Sequence, residues 1–394
     1  MRSRHPAFHR QCALVVAALT AATTCAGRAR ADGTEQVRLH AELGAEYDNN
    51  VHWASQTGAT EGPPQVGSAL GRMVLGLSAA DRVGASQDVA FSVLGAAKAF
   101  QAAEARSENV AVVDTSGAWR IAAGARTRLG ISGSYYDAIQ SGTAAERALS
   151  GVARDFRSLS PTFRLTRAVG ESGTLGAAAG YRWFVYKPAR AYDFEAPLLA
   201  IDYRLSRETA DGAADWEAVA SAAVELRRFG GTRLVMDPMC MTGTMCLAVR
   251  DPDGGRQNDQ FFSGGIDITR TGYLLVGIGY GVRWNRSNSY SETLLRHAGI
   301  LRLTIPLPLG LYLAARGELV YVTYPEHARF SAPTAGQSFA TIEDENRSYA
   351  RAELTRDLFS HLQLIARYSL YLNALSQGTY QRQTASLSLA LNFE

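Results

Sequence analysis

Eight arginines in the C-terminal third of the chain, Arg283, Arg296, Arg302, Arg316, Arg347, Arg351, Arg367 and Arg382, fall with Glu318 and Glu353 on one side of a two-residue alternation. In extended chain, alternate side chains share a face, so these groups are expected to line a single wall. A guanidinium keeps its charge at any physiological pH, and a wall of them attracts anions. The rest of the chain places Arg38, Arg72, Lys98, Arg120, Arg128, Arg164, Arg182, Arg204 and Arg227 among Glu42, Glu46, Asp48, Asp88, Asp114, Asp202, Asp215, Glu217, Glu225 and Asp267 on the equivalent face. If water separates the two regions, a mixed wall facing a basic one sets a transverse field across it. The competing reading is that arginines and carboxylates pair across neighbouring strands and fill the space between them.

Other residue types offer less. Cys240 and Cys246 lie within Met236-Asp-Pro-Met-Cys-Met-Thr-Gly-Thr-Met-Cys246, and in an oxidising compartment they are expected to form a disulfide around Gly243. Two thiolates with no histidine nearby make an incomplete metal site, so no metal is expected. Asp251-Pro-Asp-Gly-Gly255 lacks the oxygen ligand and glycine that a calcium loop needs at its next positions and reads as a turn. His40, His52, His297, His327 and His361 share no motif. Asp48 with His52 is similar to the acid and histidine pairs of omptin-like proteases, and Arg286-Ser-Asn288 to the Ser-Asn of outer-membrane phospholipases. The phospholipase motif requires a histidine where Arg286 stands. No enzyme activity and no cofactor are expected. A net charge of +3 without a Lys/Arg run gives no footprint for nucleic acid.

The elements that must hold the charged wall are strands. Val37, Leu39, Ala41, Leu43, Ala45 and Tyr47 alternate with Arg38, His40, Glu42, Gly44, Glu46 and Asp48. At the other end, Ala385, Leu387, Leu389, Leu391 and Phe393 alternate with Thr384, Ser386, Ser388, Ala390 and Asn392. The same pattern recurs near 69–80, 88–99, 109–121, 126–137, 156–168, 174–186, 198–208, 215–228, 260–270, 273–284, 293–305, 310–323, 347–357 and 362–373. The reading is all-β: a transmembrane antiparallel up-and-down barrel of about 16 strands, within a range of 14–18. Runs of about 12 residues suit strands that cross a bilayer at a tilt, and exceed the five or six typical of a soluble sandwich. Short connections such as Thr271-Gly272 and Pro306 to Leu309 alternate with longer ones such as 49–66, 138–155, 187–197, 229–259 and 325–346. That alternation puts both termini at one rim, expected to be the periplasmic one. Residues 1–31 read as a signal peptide, with basic residues before the apolar run Cys12 to Leu19 and Ala29-Arg-Ala31 at the cleavage point, which leaves 32–394 as the barrel.

The terminal strand resembles the last strand of Gram-negative outer-membrane β-barrels. Tyr47-Asp-Asn-Asn-Val51, Asp344-Glu-Asn-Arg-Ser348, Arg351-Ala-Glu-Leu-Thr-Arg356 and Ala366-Arg-Tyr-Ser369 are similar to porin-like barrels of proteobacteria, mostly of unassigned substrate. The resemblance implies insertion into outer-membrane lipid by the barrel assembly machinery and no nucleic-acid partner. Two functions follow as expectations. One is a channel passing small polar or anionic solutes; the other is an export barrel for an exopolysaccharide that works with separate periplasmic partners. Tyr312, Tyr349 and Tyr371 would provide stacking surface for either, and long loops such as Gly230 to Asp259 or Pro325 to Asn346 would constrict the lumen. A structural or enzymatic barrel is the remaining alternative. Oligomeric state is left open.

Overall fold

The computed structural model describes residues 36–51, 65–84, 86–141, 155–187, 190–208, 215–236, 248–290, 292–325, 348–375 and 378–393. The leader, Cys240, Cys246, Arg347, His52 and His327 lie outside the described residues. Sixteen strands close into one antiparallel barrel. In chain order they are β1 (Gln36–Asp48), β2 (Ser68–Val83), β3 (Gln87–Phe100), β4 (Val110–Gly124), β5 (Thr127–Gln140), β6 (Phe156–Val169), β7 (Gly173–Tyr186), β8 (Phe194–Glu208), β9 (Asp215–Thr232), β12 (Arg256–Thr271), β13 (Leu275–Ser287), β14 (Leu294–Leu307), β15 (Leu311–Thr323), β16 (Ser348–Asp357), β17 (Leu362–Leu375) and β18 (Gly378–Phe393). Between β9 and β12 the chain leaves the wall and forms a small ribbon of β10 (Leu234–Met236) and β11 (Ala248–Arg250).

The strand count agrees with the sequence pattern, but several strands run further than the alternation suggests. Strand β8 starts at Phe194, β9 continues to Thr232 and β12 begins at Arg256. At these loop-side ends the wall rises above the apolar band, and both of its faces carry polar or aromatic side chains. Through Arg227, Arg228 and Phe229 polarity shows no period of two, although burial alternates and the backbone ladder continues.

Apolar residues cover the outside of the barrel. Leu43 is 68% exposed and Leu319 76%, with Leu199, Ile266, Ile278 and Leu387 also bare. In water so large an apolar surface would drive aggregation, whereas against lipid it is the required boundary. Outward aromatics collect at two levels: Trp119, Tyr203, Trp216 and Phe393 toward the rim of the termini, and Tyr47, Trp183, Trp284 and Tyr321 toward the long loops. Such girdles mark the two lipid–water interfaces. Among the described residues no helix is long and apolar enough to cross a membrane.

Closure depends on the seam between β1 and β18. Leu39 faces Phe393, Ala41 faces Leu391, Leu43 faces Leu389 and Ala45 faces Leu387 on the lipid side. Inside, His40 faces Asn392, with Nδ1 2.7 Å from the Asn392 amide oxygen. Gly44 faces Ser388 so closely that a Cβ there would lie 2.8 Å from the serine Cβ and 2.7 Å from the Leu387 carbonyl. A larger residue at this position forces the two strands apart. Because Leu387 lies in mid-strand on the lipid side, Leu387→Arg should destabilise the barrel by about 2–4 kcal/mol. Ser116→Arg, on the inner wall, should cost under about 1 kcal/mol, since substitutions there do not face lipid. Urea unfolding from vesicles of defined lipid measures both.

Candidate functional site: the charged lumen

The polar face of every strand turns inward. Ile278, Tyr280 and Trp284 point out to lipid on β13, which leaves Arg283 on the inner face. The same parity puts Arg296, Arg302, Arg316, Glu318, Arg351, Glu353, Arg367 and Arg382 on the inner face. Arg302, Arg316 and Arg351 stand abreast on β14, β15 and β16, and Arg283 faces Arg296. Like charges directly opposite repel unless something relieves them.

Carboxylates relieve most of them. Arg296 donates to Glu318 at 3.0 Å, Arg302 pairs with Asp267 on β12, and Arg351 lies 3.4 Å from Glu353. Arg367 bridges Glu353 and, from the far side of the seam, Glu42 on β1. Arg382 grips Asp48 of β1 through two oxygens, at 2.9 and 3.0 Å from its Nε. Cross-strand pairing, the competing reading of these charges, therefore accounts for most of the C-terminal wall. Arg316 is the exception: it makes no ion pair among the described residues, and its guanidinium lies over the Tyr349 ring at 5.8 Å. Arg382 covers Tyr371 in the same way, at 5.7 Å.

The remaining wall is likewise paired. Lys98 lies 2.7 Å from Glu46, Arg72 lies between Glu42 and Glu46 at 3.4 and 3.3 Å, and Arg182 and Arg227 share Glu225 at 3.2 and 3.0 Å. Toward the terminal rim the contacts lengthen, with Arg128 3.9 Å from Asp88 and Arg204 3.8 Å from Glu217. Arg120 has no ion pair among the described residues.

Two features of the lumen escaped the strand-by-strand reading. The first is a chain of inward aromatics at the loop rim: Tyr136 stacks on Phe156 at 4.9 Å, Phe156 on Phe184 at 5.2 Å, Phe184 on Phe194 at 4.9 Å, and Phe194 meets Phe229 at 5.3 Å. Tyr186 and Phe229 are each 1% exposed, so this cluster is a small core inside the mouth rather than a bare track. Arg227 caps it, lying over Phe194 and, at 4.1 Å, over Phe261. A second buried cluster, Val51, Leu70, Phe100 and Ala105, fills the mouth beside β2 and β3. The second feature is a row of serines. Ser78, Ser92, Ser116, Ser134 and Ser160 sit directly opposite one another on β2 to β6, and the Ser92 and Ser116 hydroxyls are 2.7 Å apart. Each serine alone looks like any polar alternate; only the register aligns them.

Loop residues add to the mouth. The β10–β11 ribbon is tied down where Tyr290 donates its backbone N–H to the Leu234 carbonyl at 2.8 Å and Leu234 donates its own to the Ser289 hydroxyl at 2.9 Å. Asp251 closes the expected turn, accepting from the Asp253 N–H at 3.0 Å and from Arg233 at 2.7 Å, with Gly254 at φ 73°. Tyr192, in the β7–β8 loop, has its phenol pushed up to about 12, first by burial and then by the nearby Glu292 charge. Among the described residues no cluster of three His, Cys, Asp or Glu is placed to hold a metal ion.

The architecture is a closed sixteen-stranded antiparallel β-barrel with an apolar outside and a charged lumen, the build of a transmembrane barrel. No protein-family model matches the chain, and no curated protein matches it in sequence. Solved structures resemble its fold. OccK11 (OpdR) of Pseudomonas aeruginosa is 12% identical over 91% of this chain and 96% of that chain, with a TM-score of 0.45. A loop L8 deletion mutant of OmpT, an outer membrane protein of Vibrio cholerae, is 11% identical over 92% and 100%, with a TM-score of 0.42. CdiB from Acinetobacter baumannii is 9% identical over 90% of this chain and 60% of that chain, with a TM-score of 0.43. Likeness at this level is one of architecture.

Asp48 is fully buried and Arg382 8% exposed, so Asp48→Ala strands a charge and should cost about 3–5 kcal/mol, while pairing it with Arg382→Met should recover most of the loss. A double-mutant cycle in urea measures the recovery. Tyr192 is expected to stay protonated well above pH 10. Since its folded pKa is raised, its contribution is intact below the unfolded value near 10 and is lost as pH climbs through about 12. Absorbance titration at 295 nm should lose a late tyrosinate step when Tyr192 is replaced by Phe.

Proposed function

We propose that this barrel is a passive aqueous channel of the outer membrane for small polar solutes, with its terminal rim and both termini on the periplasmic side. One observation carries the reading: the inner wall facing the terminal half is lined by small hydroxylated and charged side chains, Ser92, Ser116 and Ser134 among them, around a cavity of about 590 Å³. Sixteen strands enclose enough space for water unless side chains or loops fill it. In the loop half they do much of that filling, because the aromatic core and the Asp48, Glu46 and Glu225 ion pairs narrow the lumen there. The terminal half is the wider part of the path.

Solute selection in such a channel is electrostatic. Most lumen charges are matched, so a weak preference is expected rather than a strongly anion-selective pore, with Arg316 and Arg120 supplying the unmatched positive charge on nearly opposite walls. The proposal includes no catalytic group: Asp48, one half of the protease-like pair, is bound to Arg382. Toward the long loops the inward aromatics are packed together or covered by arginines, and Tyr312, on the same strand parity as Arg316, is 45% exposed. One bare ring is little stacking surface for a polysaccharide chain, which favours the channel over export. Planar-bilayer recording of the purified chain in potassium chloride should show discrete conductance steps with a reversal potential slightly toward chloride selectivity. Absence of current at any voltage contradicts the channel; a cation-selective reversal potential contradicts the charge assignment only.

A further inference from the structure

We infer that the terminal half of the lumen holds a binding station centred on Arg120 for small hydroxylated anions: solutes with one carboxylate or phosphate group and several hydroxyls. The inference rests on the channel reading, because it specifies what pauses in the same lumen. Arg120 stands where two cavities meet. The serine-lined cavity of about 590 Å³ and a second of about 870 Å³ share Ala118, Arg120 and Ser132.

The second cavity is basic. Arg120, Arg126, Arg128, Arg164 and Arg204 line it. Three carboxylates answer these five arginines: Asp202 on Arg164, Asp88 at 3.9 Å from Arg128 and Glu217 at 3.8 Å from Arg204. Two cationic charges are therefore in excess, and Asp88 is also shared with Arg82, at 3.4 Å. Arg120 and Arg126 make no ion pair among the described residues.

Register gives the station its shape. Across β4, β5 and β6 the row reads Arg120, Gly130, Arg164. Gly130 has no side chain, and the Arg120 stem lies across it, so that a Cβ built there would come within 3.3 Å of Arg120 Cγ. The Arg164 guanidinium reaches the other way, over Gly176 to Asp202, which leaves the Arg120 guanidinium as the five-donor group without an ion pair at this point of the cavity. Bidentate guanidinium contacts suit a carboxylate or phosphate far better than a halide. Beside Arg120, Ser132 and the serine row through Ser116 and Ser134 present hydroxyls that both donate and accept. A neutral sugar meets the serines but not the arginines, and a bare inorganic anion meets the arginines but not the serines. A solute carrying both kinds of group meets both.

The test uses the full mature chain in planar bilayers in potassium chloride, with gluconate as the probe and glucose and sulfate as comparisons. Millimolar gluconate is expected to interrupt single-channel current more strongly than equal glucose or sulfate. Arg120→Gln should weaken the gluconate block about tenfold, the loss expected for one charge-assisted guanidinium contact. Arg286→Gln, on the outer face, should leave the block unchanged. Gluconate without effect, or a block indifferent to Arg120→Gln, overturns the station. Equal block by sulfate overturns the hydroxylated class. If the wild-type chain passes no current at all, the channel reading fails instead. The station is then decided by calorimetric titration of gluconate into the detergent-solubilised barrel, where heat lost in Arg120→Gln supports it and no heat from the wild type overturns it.

Discussion

Lipid offers no partner for a backbone N–H or C=O, so a wall of strands can stand in a bilayer only if its first and last strands bond to each other. Every other property of this barrel depends on that one seam. Strand β1 and strand β18 meet residue for residue, with an apolar row outside and a polar row inside. The inner row does more than avoid lipid. Arg382 on β18 and Arg367 on β17 reach Asp48 and Glu42 on β1, so the last two strands hold the first by charge as well as by backbone. The acidic first strand and the basic final strands are complementary parts of one closure. What looks in the sequence like a field across a pore is, in large part, the electrostatic clasp of the seam.

Once closed, the barrel divides along its axis. Toward the long loops, aromatics and ion pairs pack inward and several charged groups are almost fully buried. Burial of that kind is costly unless each charge is matched, and here Glu225 serves two arginines and Glu42 two more. Toward the termini the side chains shrink to serine and alanine, and Arg128 and Arg204 near the rim stand farther from their carboxylates. Because tilted strands make a register row climb the wall as it passes from strand to strand, the serine row is a ramp rather than a ring. It starts opposite Arg38 on β1 and leads across five strands.

Much of this could be read from the chain. Alternation placed Leu43 outside and Glu42 inside because the strand period is two and lipid penalises any slip. Strand number and the inner-face parity of arginines such as Arg302, Arg316 and Arg351 came from the same rule. Pairing did not, because Arg367 finds Glu42 from 325 residues away and only closure brings them together. The inner aromatic core was missed for a related reason. Phe184, Phe194 and Phe229 sit toward the long loops, where burial still alternates but the inward residues are apolar, so polarity no longer tells inside from outside. Arg120 looked like one member of a mixed wall, and its neighbours became visible only with Gly130 beside it.

The account depends on one physical claim, that water fills the lumen along the serine wall while lipid covers the opposite face of the same strands. Cysteine placed singly at Ser116, Ser134, Thr115 and Leu387, in a chain whose Cys240 and Cys246 are serine, tests it with a charged thiol reagent applied from the aqueous phase. Rapid labelling at Ser116 and Ser134, with Thr115 and Leu387 unreactive, is the predicted result. Protected serine positions, or labelling that fails to follow the alternation, would contradict it.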